Sequence, residues 1–435
     1  MHQALVQRPG CCIRRLGGTR KREMQFTRFL RNTSVTTGEM AAFAAKKTAA
    51  RVAGRHVVAI QDTSELVLGG PKARANGFGP VGKGGATGGL LLHPVLAMDA
   101  MMGAVIGLAD FKVWNREGGQ VGPRWKRATA DKESQRWIDG TARAGEVLAG
   151  AAQITVVSDR EGDIYEQFAC CPANVDQIVR ACQNRRIETE NAQASELLFP
   201  FVDSLPEQDR LSVTLPAVPG RKARTAELAM RFSSVALCKP LHGAAAELPN
   251  KVALNVVDIR ETSQPEDGEP VHWRLLTTHK VTTVGEARRV VDLYRMRWTI
   301  EEFFRTLKTA GFNIEDADIG EPKPMINLVG AATIAAVTVM QLVRARDGTT
   351  NQSLTEAFDP MDQPILEAAS SQLEGSTARQ KNPHPKGTLA FAAWVIARLG
   401  GWTGYYGKPG PQIMRRGLQE FQAIKYGTTL RPQDV

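Results

Sequence analysis

Short apolar and β-branched runs separated by turn-forming residues occupy the first part of the chain, a pattern typical of a mixed sheet. Val57–Ile60 and Ile154–Val157 predict two buried strands, and an aspartate follows each of them closely. Leu90–Met98 and Ala104–Phe111 predict two further strands, and Asp131–Ala149 predicts a helix. Three strands, a helix and another strand in this order indicate an α/β fold.

The pattern changes between Ile187 and about His279, where short strand-like runs are separated by Pro, Gly and Asp. Leu211–Leu215, Lys251–Val257 and Trp273–Thr278 are such runs. We therefore predict a β-rich segment inserted into the α/β unit.

Helical periodicity returns after this segment. Thr283-Val284-Gly285-Glu286 is a capping-box sequence, and it predicts one long helix that runs to about Lys308 and ends near Gly311. Gly387–Leu399 predicts a final amphipathic helix before a tail rich in Gly, Tyr and Pro.

The stretch Pro324–Val343 carries no charge and is close to the length that spans a bilayer. Its Asn327, Gln341 and many alanines favour a buried core helix instead. The N-terminus has arginines where a signal peptide needs an apolar run. We therefore predict a soluble cytoplasmic protein with no membrane partner.

Charge is distributed unevenly over the 435 residues. The net charge is +10, and residues 1–60 account for all of it with 12 basic and two acidic residues. A concentrated positive charge indicates a nucleic-acid partner. The six cysteines contain no C-x-x-C spacing, so a structural zinc site or a disulfide framework is not expected.

A glycine-rich loop over residues 77–84 matches G-x-G-x-x-G and most of a phosphate-loop motif. A phosphate loop requires a preceding strand, a following helix and a hydroxyl after the lysine, but Gly84 stands in that place. We predict a mobile turn between strands and no nucleotide cofactor.

Candidate chemistry is concentrated on the long predicted helix, where Tyr294, Arg297, Glu301 and Lys308 share one face. At roughly 100° per residue, the four side chains fall in a stripe about 60° wide. A solvated face with Arg297 and Glu301 as an i,i+4 pair is the simpler interpretation.

Two more carboxylates weaken that simpler interpretation, because Asp62 and Asp159 each follow a predicted buried strand. Three carboxylates on two strand ends and one helix suit Mg²⁺, which takes oxygen ligands. A metal pair stabilises both the attacking and the leaving oxygen of a phosphoryl displacement. Arg297, Lys308 and Tyr294 would then hold backbone phosphates.

These motifs together resemble a known family. Residues 294–308 match the Y-(2)-R-(3)-E-(6)-K signature of DDE transposases in insertion-sequence family four, the branch that includes the transposase of transposon five. Residues 59–64 and 158–164 resemble the family's first and second aspartate motifs, and residues 397–401 resemble its C-terminal helical region.

The resemblance implies a ribonuclease-H-like α/β catalytic core interrupted by a β-rich insertion, with a helical C-terminal region. It implies catalysis by Asp62, Asp159 and Glu301 through two Mg²⁺ ions, with Mn²⁺ as a substitute. The implied partners are double-stranded DNA, as transposon ends and target, and a second copy of the chain in the DNA complex. The implied location is the bacterial cytoplasm, on the nucleoid when DNA is bound.

The resemblance also gives roles to two residues outside the helix. Trp273 falls where the family places a tryptophan that stacks on a nucleotide flipped out during hairpin formation. By itself a tryptophan in this place is more often a core residue, and with the resemblance both interpretations stay open. Arg180, followed by Arg185 and Arg186, matches a basic stretch that contacts DNA in relatives. Arg160, Glu161 and Asp163 form a charged turn that would either orient Asp159 or contact DNA.

The domain organisation that follows has five parts: 1–55, the basic remnant of an end-binding domain; 56–186, the first part of the core; 187–281, the insertion; 282–346, the helix with the catalytic glutamate and the next helix; and 347–435, the dimerisation region. Residues 1–23 do not resemble the family's end-binding domain. Two alternatives to an active cut-and-paste transposase therefore stay open: a shortened protein that sequesters active partners by dimerising, and a metal-dependent nuclease on the same core.

Overall fold

The computed structural model describes residues 1–7, 10–116, 132–189, 196–215, 223–241, 245–265 and 268–429. The strands are β1 His56–Gln61, β2 Ser64–Val67, β3 Gly79–Val81, β4 Thr87–Asp99, β5 Val105–Trp114, β6 Gln153–Ser158, β7 Asp176–Arg180, β8 Arg186–Glu188, β9 Glu196–Leu197, β10 Asp209–Leu215, β11 Arg224–Cys238, β12 Lys251–Glu261 and β13 His272–Thr277. The helices are α1 His2–Gln7, α2 Ile13–Gly17, α3 Arg20–Arg31, α4 Thr37–Ala49, α5 Gly70–Ala75, α6 Gln135–Val147, α7 Tyr165–Ala169, α8 Leu198–Ser204, α9 Val284–Arg295, α10 Trp298–Lys308, α11 Pro322–Ala345, α12 Gln363–Leu373, α13 Leu389–Leu399 and α14 Pro411–Thr429.

The chain forms two compact units. Unit 1 comprises Met1–Val57, Thr63–Gly119 and Trp298–Val435, and unit 2 comprises Val58–Asp62 and Gln120–Arg297. A mixed α/β fold with a large sheet and many helices is confirmed, and it is consistent with a ribonuclease-H-like transposase domain. The five-part domain organisation stays a prediction.

In unit 1, β4 pairs in antiparallel fashion with β2, β3 and β5. Polar side chains from the helical part of the unit donate to carbonyls of β5: Thr48 to Leu108 at 2.7 Å, Gln341 to Ile106 at 3.2 Å and Gln352 to Val105 at 3.1 Å. These buried hydrogen bonds join the helical part of unit 1 to β5.

The glycine-rich loop lies between β3 and β4, which pair through Gly79 and Gly89. The turn between strands is therefore confirmed, and the strand–loop–helix arrangement of a phosphate loop is not present at residues 77–89. Gly89 is needed for packing, because a Cβ there would lie 2.1 Å from the Leu66 carbonyl oxygen.

Helix α11 runs through the core of unit 1 and packs against α1, α3, α4, α10, α13 and α14. Its length and mean hydropathy of 1.9 would suffice to cross a membrane, yet 83% of its most apolar stretch is buried inside the protein. The buried core helix predicted over Pro324–Val343 is confirmed. The buried Asn327 amide donates to the Leu30 carbonyl at 2.9 Å, which accounts for a polar residue in this position.

The C-terminal region contains a helix that the sequence pattern did not predict. Helix α13 matches the predicted Gly387–Leu399 helix, but it is not the last one, because α14 follows it. Gly417 interrupts the apolar pattern of α14, and a glycine inside a helix normally lowers its stability. In the fold this glycine allows close packing, since a Cβ at Gly417 would lie 1.7 Å from the Ile396 carbonyl oxygen of α13.

We expect Gly417→Ala to lower the free energy of unfolding by about 2–3 kcal/mol, because the added methyl group forces α13 and α14 apart. Gly427→Ala on the same helix is the matched control, since nothing lies within 4 Å of a Cβ there. Thermal and urea unfolding of both variants measure the difference. A Gly417→Ala protein as stable as Gly427→Ala would contradict the close approach of the two helices.

In unit 2 the strands follow the order β1-β6-β7-β13-β12-β11-β8-β9, and β10 pairs with β11. Strands β6 and β7 are parallel, whereas β13 is antiparallel to β7 through Leu275 and Arg180. The strands of the predicted β-rich segment therefore continue the same sheet as β1, β6 and β7. The strands predicted at Val57–Ile60 and Ile154–Val157 are confirmed as β1 and β6.

Two helical predictions in unit 2 agree with the structure. Helix α6 accounts for most of the predicted helix Asp131–Ala149, of which Asp131 lies outside the described residues. The capping box is confirmed, because the Thr283 side chain accepts from the Glu286 amide and Glu286 accepts from the Thr283 amide.

The single long helix from Thr283 to about Lys308 is wrong. Helix α9 ends at Arg295, and α10 begins at Trp298. The amides of Met296 and Arg297 donate to the carbonyls of Leu293 and Tyr294, three residues back, so the i→i−4 ladder is interrupted there. No Gly or Pro marks the break, so the sequence pattern does not reveal it.

Candidate active site

Asp62 and Asp159 follow directly on β1 and β6, which are neighbours in the sheet of unit 2. The residue before Asp62, Gln61, is fully buried and donates to the hydroxyls of Thr141 at 3.0 Å and Ser158 at 3.2 Å. Ser158 is the residue before Asp159. These bonds tie the two strand ends together and fix the positions of both aspartates.

The Asp62 carboxylate is bound by an arginine. Arg297 Nη1 lies 2.9 Å from Asp62 Oδ2, and both side chains are 13% exposed. The two residues are far apart in the sequence, so the ion pair depends on the fold of unit 2. A charge pair this well shielded from solvent is stronger than one at the surface.

Tyr294 lies between two guanidinium groups. It is 3% exposed, and the charges of Arg297 and Arg180 both act on its phenol group. Burial raises the pKa of Tyr294; Arg297 and Arg180 oppose this effect, and the nearby charge of Asp159 adds to it. The phenol is therefore neutral at physiological pH, and Asp159 lies close enough to act on it electrostatically.

Trp273 and Arg180 complete this cluster. The Trp273 ring packs edge-on against Tyr294, with the ring centroids 5.4 Å apart and the planes at 62°. Arg180 donates to the His272 carbonyl at 2.8 Å, and burial lowers the pKa of its guanidinium. Unit 2 thus brings together six of the residues that the sequence singled out: Asp62, Asp159, Arg180, Trp273, Tyr294 and Arg297.

The remaining two, Glu301 and Lys308, lie on α10 in unit 1. Their spacing of seven residues places them on one face of that helix. The Glu301 side chain is exposed. The Lys308 ammonium donates to the Glu65 carbonyl and lies 3.6 Å from the Glu315 carboxylate. The convergence of Glu301 with the two aspartates stays a prediction.

The charged turn after Asp159 has a structural role that the sequence did not reveal. The Asp159 carboxylate accepts from the Glu161 amide at 2.9 Å and caps this turn. The Asp163 side chain is fully buried and accepts from the amides of Cys182 and Gln183 at 2.8 and 2.9 Å. It also forms an ion pair with Arg185 at 2.9 Å. Asp163 therefore holds the segment after β7, and Arg185 points into the protein.

Across the described ranges, no group of three or more His, Cys, Asp or Glu side chains is placed to hold a metal ion. Asp62 and Asp159 nevertheless supply carboxylate oxygens, which are the kind of ligand that Mg²⁺ takes. The Arg297 guanidinium shows that the position beside Asp62 accommodates a cation.

A comparison with known protein families bears on this site. Residues 170–323 match the transposase DDE domain. The match covers roughly a third of the chain, including Arg180, Trp273 and the segment from Tyr294 to Lys308, and it begins after Asp159. It supports a DDE transposase, a class of enzyme that cleaves nucleic acid and therefore has DNA as its partner.

Proposed function

We propose that this protein is a cut-and-paste transposase of an insertion sequence, in the branch of family four that includes the transposase of transposon five. One observation carries the proposal: Asp62 and Asp159 follow two adjacent strands, and Arg297 and Tyr294 lie beside them. The chain that holds this cluster also matches the transposase DDE domain. The reaction is phosphodiester hydrolysis at the transposon end followed by strand transfer to target DNA.

Asp62, Asp159 and Glu301 are the proposed ligands of two Mg²⁺ ions, which Mn²⁺ can replace. The bound ions supply Lewis-acid stabilisation of the attacking and leaving oxygens. The carboxylates have to be ionised to serve as ligands. The Arg297 guanidinium holds Asp62 in that charged form before DNA binds.

The cationic and aromatic residues bind and orient the DNA. Arg297 and Lys308 present charged donors to backbone phosphates. Arg180 donates to the His272 carbonyl inside the protein, and its charge interacts with Tyr294 and Arg297. This supports a role in positioning these two side chains, in addition to any contact with DNA. Trp273 offers a ring face for an unstacked base, and its packing on Tyr294 fixes the ring in place.

We expect Arg297→Gln to tighten Mn²⁺ binding by the DNA-free protein about tenfold, because the guanidinium no longer competes with the metal for Asp62. Titration followed by electron paramagnetic resonance or calorimetry measures the affinity. Arg305→Gln is the matched control, since Arg305 lies on α10 with 60% of its side chain exposed and only a 3.8 Å ion pair to Glu302. Unchanged or weaker Mn²⁺ binding in Arg297→Gln would contradict competition at Asp62.

The proposed function is tested with purified protein, Mg²⁺ and DNA that contains the two borders of the element that encodes it. We expect specific binding of the border DNA and nicks at the element's ends. A dimer in the DNA complex, measured by light scattering, is the expected assembly. Binding without any nick at either border, with Mg²⁺ or Mn²⁺, would overturn the proposal.

A further inference from the structure

Unit 1 contains a cavity of about 480 Å³ that none of the proposed catalytic residues lines. Helix α2, the segment that follows α10, and the first half of α14 form its walls. Three arginines line it, Arg15, Arg415 and Arg416, together with one acidic residue, Glu420. The lining therefore has a formal excess of positive charge.

Arg415 is the most firmly fixed of the three. It is 3% exposed, donates to the Leu5 carbonyl at 3.1 Å and the Gly10 carbonyl at 3.4 Å, and lies over the Phe312 ring at 3.8 Å from the centroid. Burial lowers its pKa to about 10, so it is still protonated at neutral pH. A charge held in a poorly solvated wall attracts an anion more strongly than a surface charge does.

Arg416 is exposed, and over the part of the chain that the structure describes it forms no ion pair. Arg416 also lines the cavity, so its charge contributes to the attraction of an anion there. Gln412, Thr309 and Asn313 also line the cavity and add neutral hydrogen-bond donors. A wall of this kind suits an anion with several oxygen atoms.

The backbone at Asn313 has an unusual conformation. With φ 50° and ψ 49°, Asn313 is the one non-glycine residue with positive φ among the described residues. Its side chain makes no capping bond to the short helical turn that it precedes. Asparagine adopts this left-handed conformation more readily than most other non-glycine residues, and residues with positive φ often lie at functional sites.

We propose that this cavity binds a phosphate group. Guanidinium groups match the geometry of phosphate oxygens, and a phosphate carries more charge and more acceptors than a carboxylate. The phosphate belongs either to the backbone of duplex DNA or to a small phosphorylated molecule. The proposal does not depend on the carboxylate residues, so a protein that fails to nick DNA can still bind phosphate here.

The test uses the full chain and two probes. The affinity for inorganic phosphate is measured by calorimetry. The affinity for a labelled DNA duplex of arbitrary sequence is measured by fluorescence anisotropy at several salt concentrations. Arg416→Gln is expected to weaken phosphate binding about tenfold or more, and Arg416→Lys to restore part of it. Arg379→Gln is the matched control, because Arg379 is another exposed arginine of unit 1 and does not line the cavity.

The two probes distinguish the two sources. If the phosphate is that of DNA, Arg416→Gln also reduces the slope of log K against log salt by about 0.9. If it is that of a small molecule, phosphate binding falls and the slope is unchanged. Phosphate binding that is equal in the wild type, Arg416→Gln and Arg379→Gln would overturn the proposal, as would acetate binding as tightly as phosphate.

Discussion

Glu301→Gln is expected to reduce nicking of border DNA by roughly 10³-fold or more, a loss of about 4 kcal/mol of transition-state stabilisation. Glutamine keeps the size of the side chain but removes the charge that a divalent ion requires. Asp62→Asn and Asp159→Asn are expected to lower the rate to the same level, because the three carboxylates act as one set and their effects do not add. The measurement is the rate of conversion of a supercoiled plasmid to its nicked form.

Glu302→Gln is the matched control for Glu301. Glu302 is the next residue on α10, and its ion pairs to Arg305 and Arg344 are 3.8 and 3.9 Å long. Partly exposed pairs of this length contribute little, so its nicking rate is expected to stay within a few-fold of the wild type. DNA binding is measured in parallel. A Glu301→Gln protein that nicks at the wild-type rate would remove Glu301 from the proposed set and contradict the two-metal mechanism.

The second large effect concerns the stability of unit 2. Asp163→Asn is expected to lower the free energy of unfolding by about 3–5 kcal/mol, because it leaves the Arg185 guanidinium buried without its counter-charge. Arg185 and Asp163 have 9% and 0% of their side chains exposed. The asparagine also offers one oxygen in place of two to the amides of Cys182 and Gln183 and to the Arg185 guanidinium. The shift in the urea unfolding midpoint measures the loss.

Glu146→Gln serves as the comparison, because its ion pair to Arg143 is on the surface, with 66% and 40% of the two side chains exposed. Its effect is expected to stay within about 0.5 kcal/mol. The double variant Asp163→Leu with Arg185→Leu is expected to recover part of the loss, since it removes both buried charges. A loss below about 1 kcal/mol in Asp163→Asn would show that the ion pair does not hold the segment after β7.

Much of the local structure could be predicted from the sequence. The runs before Asp62 and Asp159 form strands, the Thr283 capping box opens a helix, and the apolar stretch after Gly320 forms a buried helix. These elements depend on side-chain periodicity and on bonds within a few residues, and the sequence displays both directly. Three of the charged residues of the candidate site, Arg297, Glu301 and Lys308, were recognisable for the same reason, since one short motif contains them.

The interruption at Met296 and Arg297 could not be predicted in this way. The periodicity of residues 283–308 is that of one helix, and no Gly or Pro occurs between Glu286 and Lys308. Arg297 lies at the break and forms an ion pair with Asp62, which is 235 residues away in the sequence. Long-range pairs of this kind are determined by burial and charge in the folded chain and leave no periodic signal.

Gly417 and Arg415 of α14 also have roles that the sequence pattern does not reveal and the fold does. The sequence pattern predicted no helix in this tail, which is rich in Gly, Tyr and Pro. In the fold, Gly417 permits the contact with Ile396, and Arg415 is buried against Phe312 and the Leu5 carbonyl. Neither role can be read from neighbouring residues, because the contacts come from segments distant in sequence.

The sequence by itself determined the strands and helices with strong periodicity, the carboxylates at two strand ends and the motif from Tyr294 to Lys308. The tertiary structure alone decided that Arg297 forms an ion pair with Asp62 and that three arginines line one cavity. It also decided that Asp163 is buried and paired with Arg185. The physical reason is that secondary structure follows from local side-chain spacing, whereas the partner of a charged group depends on which distant segments exclude water around it.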